Sequence, residues 1–396
     1  MKIGAKIAAW LERRWATPAY AGWVLLGMSL SLFAAATNTM AGWLYAISGI
    51  SLAMLGMAAV LPAKSLRQIQ IRRRPIEPVS AGDELTVELE IENPTAQAKT
   101  LLEVYDVIPL LLQGLKPPQE GKPRQVAIEE IPGGGVYRWT YYQPAPRRGL
   151  YHWHEVQLRS GAPLGLFWCS RSRTVPAVAI VYPQVLPLNT CPVIDKIGQQ
   201  ENKLYEASNR SQMTTAGITR TLRPYRYGDP IRLVHWRSSA RLGELRVREL
   251  EISTGGQEIA IALDSGGTWD PEDFEQAAIA AASIYFYASR SQLEVKLWTP
   301  ATGLIQGNRV VLEALAASNP SEATAPHARP PEPPNQPLIW LTQNPLTLQQ
   351  LPKGSRWIFW PPRGNPEEKT GIKPDLPGIE IQPDKPLQLQ LQSPLR

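Results

Sequence analysis

The run EIAIALD, Glu258 to Asp264, decides how the C-terminal half of this chain is read. Five consecutive apolar residues stand between two acids. A short strand that is apolar on both faces is buried on both faces, the condition met in parallel sheets covered by helices. Downstream, Pro271 to Ser289 is alanine-rich and predicts a helix, Gln292 to Trp298 a strand, and Arg309 to Ala317 a short helix. Leu338 to Thr342 (LIWLT) and Arg356 to Trp360 (RWIFW) predict two more strands. This alternation predicts an α/β domain with a mainly parallel sheet. Ligand chemistry in such sheets sits at the carboxyl ends of strands, and Asp264 stands at one.

Immediately upstream lies GITRTLRPYRYGDPIRLVHWRSSARLGELRVRELE, Gly217 to Glu251, with eight arginines, four carboxylates and a His235-Trp236 pair. Gly217 to Arg223 predicts a strand. Asp229 is a good helix cap and Pro230 suits the first helical position, so the pattern predicts a helix from Ile231 to Leu242 closed by Gly243. Leu245 to Glu251 alternates and predicts a strand. Two roles fit the interleaved charges. In the first the block is an internal brace: Asp229 caps, Arg232 and Arg241 pair with Glu249 or Glu251, and Trp236 fills the core. In the second it is a contact surface for another protein.

Residues 65–190 are strand-like. ELTVELEIE, Glu84 to Glu92, alternates strictly, with Leu85, Val87, Leu89 and Ile91 on one face. Leu102 to Ile108, Gln125 to Ile131, Tyr137 to Tyr142 and Tyr151 to Leu158 predict further strands, and the turn signals between them predict an immunoglobulin-like β-sandwich. His152 and His154 share a strand face, with no third metal ligand evident nearby; a solvent-facing or hydrogen-bonded pair is the expectation.

The N-terminal 64 residues hold two charge-free apolar runs, about 19–36 and 40–61, each near the length that crosses a bilayer. A tiny connection makes them a hairpin with both ends on one side. Nine basic residues against one acid in the first 75 flank these runs, so the positive-inside rule places both termini and the soluble domains in the cytoplasm. Gly27, Gly42, Gly49 and Gly56 are expected to let the two helices pack closely. The basic charge is spent on these flanks, and the rest of the chain is slightly acidic, which argues against a nucleic-acid surface. Cys169 and Cys191 lack CxxC spacing and read as reduced core residues. Residues 191–216 read as a linker, and 364–396 as a Pro- and Gln-rich tail, partly disordered or extended.

With these elements in order, the chain resembles the domain-of-unknown-function 58 family. The family pattern is matched by Gly217, Arg223, Tyr225, Gly228, Asp229, Arg232, Val234, Trp236, Ser239, Ala240, Arg241, Val247, Arg248 and Glu249. The resemblance implies that residues 217–363 are similar to a von Willebrand factor A domain. It also implies a non-enzymatic membrane-anchored adaptor paired with a MoxR-type AAA+ ATPase in assembly or maturation of other complexes. The related metal motif D-x-S-x-S is here Asp264-Ser265-Gly266-Gly267-Thr268, and the later T-D-G is Thr342-Gln343-Asn344. Asp264 and Thr268 are thus the remnant of a magnesium site, and no cofactor is expected. The alternatives are a divalent-metal-dependent ligand-binding domain and a hydrolase-like enzyme. Against the second, the chain holds four histidines and two cysteines and lacks GxSxG, Walker A and HExxH.

Overall fold

An apolar run needs its backbone hydrogen bonds made internally if it is to lie in lipid, and both N-terminal runs are helical. The computed structural model describes residues 16–113, 123–195, 218–226, 234–251, 258–291, 293–320, 334, 336–362 and 376–395. Helix α1 spans Tyr20–Thr39 and α2 spans Gly42–Leu66, joined through Met40 in the left-handed conformation. Both are long and apolar enough to cross a membrane. Both also run further than the apolar stretches predict. The extra turn of α2 carries Leu66, which is fully buried, into the core of the following β-domain. Arg173 fastens that end, its Nη2 donating to the Leu66 and Arg67 carbonyls at 3.0 and 3.3 Å. Such carbonyls otherwise have no intrahelical partner.

The hairpin's buried positions are Gly22, Ser29 and Ala36 on α1, and Leu44, Ser48, Leu55, Ala58, Pro62 and Leu66 on α2. The glycines expected at the seam are elsewhere: a Cβ added at Gly27, Gly42, Gly49 or Gly56 would meet nothing within 4 Å. Small serines and alanines serve instead, and the Ser29 and Ser48 hydroxyls satisfy themselves on the Leu25 and Tyr45 carbonyls. Gly22 is the glycine that contact requires, because its Cα lies against the Leu166 carbonyl. The turn-rich 162–168 segment thus packs on α1.

The chain divides into two compact units, Met1–Tyr182 and Pro183–Arg396. In the first, strands β1 (Thr17–Pro18), β2 (Gln70–Arg73), β3 (Val79–Ser80), β4 (Glu84–Glu92), β5 (Lys99–Asp106), β6 (Arg124–Ile131), β7 (Val136–Pro144), β8 (Gly149–Ser160) and β9 (Phe167–Tyr182) form two sheets. One runs β1-β9-β8-β5-β6 with β3 also on β9; the other runs β2-β4-β7. The four alternating residues of β4 are all fully buried, and Leu89 and Ile91 share a core with Leu102, Val104, Val156 and Leu158 of the facing sheet. Between the sheets lies a charge pair. Arg73 Nη2 meets Asp106 at 2.7 Å with both side chains wholly out of solvent, and the Tyr141 hydroxyl donates to the same carboxylate at 2.7 Å. Burial pushes the Asp106 carboxyl up, while Arg73 and Tyr141 pull the other way. His152 and His154 are exposed and stack on each other, centroids 6.2 Å apart.

In the second unit, β12 (Glu258–Leu263), β13 (Glu294–Thr299), β14 (Gly303–Ile305), β15 (Leu338–Thr342), β16 (Arg356–Phe359) and β17 (Gly378–Glu380) make one sheet of order β14-β13-β12-β15-β16-β17. All its pairings are parallel except β13 with β14. Successive residues of β12 serve opposite faces. Ile259, Ile261 and Leu263 join one core cluster, and Ala260 and Ala262 the other, with Trp298 and Trp340. Helix α4, Pro271–Arg290, covers the first face; its Asp270 cap accepts from Glu272 N at 3.0 Å.

Two boundaries differ from the sequence reading. Leu188, Cys191, Val193 and Ile194 are buried in the second unit's core, so the expected linker begins inside that unit. The expected tail from 364 to 396 supplies β17 and a helix, Leu387–Leu391. Ile379, Ile381 and Leu391 are buried there. Gln390 closes the turn, accepting from Gln382 N at 2.7 Å and donating to the Gln382 and Lys385 carbonyls. A glutamine that replaces backbone partners in this way leaves no mark in hydrophobic periodicity.

Candidate functional site

The arginine-rich block is built on a two-stranded antiparallel sheet, β10 (Ile218–Pro224) with β11 (Arg246–Glu251). Val247 is the hinge of this arrangement: it pairs with Arg223 on one side and forms a bridge with Val234 on the other, and both valines are buried. His235 N then donates to the Arg246 carbonyl at 2.8 Å. Because Val234 and His235 are held to β11, the helix expected over Ile231 to Leu242 is broken at these two residues and is seen as α3, Trp236–Leu242; residues 231–233 lie outside the described residues. His235 caps it, its Nδ1 accepting from Ser238 N at 3.2 Å. Gly243 ends it at φ 72°, a backbone position that favours glycine.

Ser239 locks α3 to β11. Its buried hydroxyl donates to the His235 carbonyl at 3.1 Å and accepts from Arg246 N at 2.8 Å. Arg223 and Tyr225 are half-buried at the strand end, where Tyr225 N donates to the Leu245 carbonyl. Trp236 does not fill the core: it is 63% exposed. Arg237, Ala240 and Arg241 are exposed on the same helix, and the apolar side chains of Leu242 and Leu245 are exposed beside its end. Gly217, Gly228, Asp229 and Arg232 lie outside the described residues. Arg248 and Glu249 stand opposite Leu222 and Thr221 in the strand register.

A second cluster forms where β12 and β15 end. The Thr342 hydroxyl donates to Asp264 Oδ2 at 2.9 Å and accepts from Asn344 N at 2.9 Å. Gln343 accepts from Asp270 N at 2.8 Å and donates to Asp273 Oδ2 at 3.0 Å. Trp269 Nε1 donates to the Asp264 carbonyl. Burial pushes the Asp264 carboxyl up, and its hydrogen bonds from Thr342 and Gly266 only partly offset this. The sequence reading paired Asp264 with Thr268; the structure brings Thr342 to Asp264 and leaves Thr268 exposed. The von Willebrand resemblance already sets Thr342 in the same motif as Asp264, and its place at the end of the neighbouring parallel strand is what brings the two together. Magnesium demands several hard oxygens in near-octahedral array. One carboxylate beside one threonine hydroxyl, with the neighbouring Asp273 engaged by Gln343, falls short of that array. Among the described residues no three of His, Cys, Asp and Glu gather as a metal site would need.

No protein-family model matches the sequence, and no curated protein matches it. Solved structures resemble parts of it. The CARDB domain of a Pyrococcus furiosus protein aligns over 27% of this chain and 94% of its own, with 9% identity and a TM-score of 0.18. The bacterial hydrophobin BslA aligns over 28% of this chain and 95% of its own, with 15% identity and a TM-score of 0.18. A Listeria innocua beta-glucosidase aligns over 28% of this chain and 16% of its own, with 14% identity and a TM-score of 0.17. Likenesses of this size carry no argument about activity.

Proposed function

We propose that this chain is a non-enzymatic, membrane-anchored adaptor that works with a MoxR-type AAA+ ATPase in assembly or maturation of other complexes. The observation that carries the reading is the exposed face of α3. Tryptophan and arginine dominate the energetics of protein contacts, where a central aromatic anchor is ringed by groups that exclude water. Trp236, Leu242 and Leu245 offer such an anchor, and Arg237 and Arg241 a charged rim. The likeness of the block to the domain-of-unknown-function 58 pattern supports the choice of partner. On this reading the sandwich is of immunoglobulin type, the parallel sheet is a von Willebrand factor A-like domain that has lost its metal, and both soluble parts lie in the cytoplasm.

The test is capture of the detergent-solubilised full chain with and without ATP, with Trp236→Ala and Arg241→Ala beside the wild type. The expected result is an AAA+ ATPase that the wild type retains and Trp236→Ala loses. Equal recovery on all three chains would move the contact off α3. Recovery of no ATPase under either condition would sink the adaptor reading.

A further inference from the structure

Where α2 emerges from its apolar stretch, a cavity of about 500 Å³ opens between its last turns and the β-sandwich. Leu61, Lys64 and Ser65 line it from the helix, Gln68 from the turn that follows, and Lys99 from the start of β5. Lys99 is only 8% exposed. Among the described residues its ammonium makes no ion pair or hydrogen bond, and no carboxylate lines the cavity. The Lys99 stem is buried while its ammonium opens on the cavity, and a cation held at a cavity wall with no carboxylate beside it stands ready for an anion. Ser65 and Gln68 add uncharged donors that also make no side-chain hydrogen bond within the described protein. Cations and donors thus converge with no carboxylate among the described residues that line the cavity.

We infer that this cavity binds the phosphate headgroup of an anionic membrane lipid, held by Lys99 and Lys64. Lipid is favoured over a soluble phosphate by what precedes the cavity on the same helix. Met57 and Val60, one to two turns before Lys64, are 61% and 66% exposed, an apolar flank along which an acyl chain lies while its headgroup reaches the lysines. Lys99 is invisible to the positive-inside pattern, because it lies on a strand 33 residues after the apolar helix ends. The inference rests on α1 and α2 lying in a bilayer and is independent of the adaptor reading.

The experiment places the full chain in nanodiscs of phosphatidylcholine, of phosphatidylcholine with phosphatidylglycerol, and of phosphatidylcholine with added inorganic phosphate. Thermal midpoint and co-retained lipid, the latter by native mass spectrometry, are the readouts. Phosphatidylglycerol is expected to raise the midpoint and to be retained by the wild type. Lys99→Met is expected to fold in phosphatidylcholine but lose the increment, with retention down roughly fivefold, while Lys99→Arg keeps both. Arg72→Gln, which removes an exposed flanking charge, is expected to behave as wild type. If Arg72→Gln loses as much as Lys99→Met, the effect is diffuse surface charge and the site is refuted. If inorganic phosphate reproduces the increment, the ligand is a soluble anion and the lipid assignment fails. Should Lys99→Met not fold, retention by the wild type and Lys99→Arg decides, and absence of retained phosphatidylglycerol overturns the inference.

Discussion

In the β-sandwich, the Arg73 side chain is wholly removed from solvent, 2.7 Å from Asp106, with its guanidinium carbon 5.6 Å from the centroid of the Trp153 ring. In the motif hairpin, Arg237 and Arg241 stand exposed beside an exposed Trp236. The same two residue types, arginine and tryptophan, are drawn into a core in one unit and displayed on a surface in the other. The difference comes from the backbone that carries them. Arg73 ends a strand whose inner face is closed by a second sheet, so its charge had to bring a carboxylate along. The α3 arginines sit on a two-turn helix whose inner side is already taken by Ser239 and the valine bridge.

The contrast can be broken most sharply at Asp106. Asp106→Ala leaves the buried Arg73 charge uncompensated and is expected to destabilise the first unit by about 3–5 kcal/mol, read as a shift in the denaturation midpoint. A loss below about 1 kcal/mol would mean that water reaches Arg73 and that the pair is no brace. Ser239→Ala strips the buried link between α3 and β11 and is expected to cost about 1–3 kcal/mol, with increased amide exchange at Arg246 as the local readout. Unchanged exchange there would show that the backbone bridges alone hold the helix.

Asp264 sharpens the comparison in a different way, because its half-buried carboxyl is held by the Thr342 hydroxyl rather than by a cation. Its folded pKa lies above the unfolded value, so the folded state binds the extra proton. Its contribution is complete below the unfolded pKa and is lost as pH rises through the raised folded pKa. Asp264→Asn is therefore expected to gain on the wild type as pH rises through that window, with no magnesium-dependent shift in melting for either chain. A magnesium shift seen in the wild type and absent from the variant would restore the metal site. The smallest stability effect is expected at Trp236→Ala, within about 0.5 kcal/mol of wild type, because the side chain is already in solvent. A loss of several kcal/mol would return Trp236 to the brace.

Legibility followed the range of the interactions. The alternation in ELTVELEIE and the apolar run EIAIAL each state their own burial, and β4 and β12 are where those patterns predict. The helix expected over 231–242 does not include 234 and 235, because a cap signal is read locally. What takes them out of it is a bridge from Val234 to Val247, thirteen residues on. The seam of the hairpin was misassigned for a related reason: glycines are conspicuous in an apolar helix, but which face meets the partner is set by the helix rotation, and that put Ser29, Ala36 and Ser48 inward. In the C-terminal stretch, prolines and glutamines hid a strand of three residues. Its glycine, Gly378, lies so close to the Trp357 ring that no side chain would fit.

The sequence by itself determined the two apolar helices, the alternating strands and the parallel-sheet half, because each follows from the periodicity of neighbours along the chain. Only the tertiary structure decided that Asp264 meets Thr342, that Arg73 meets Asp106, that Trp236 faces solvent and that Lys99 is buried at the end of α2. Those outcomes depend on which distant segments fold against one another, and pairings across strands and sheets leave no period to read.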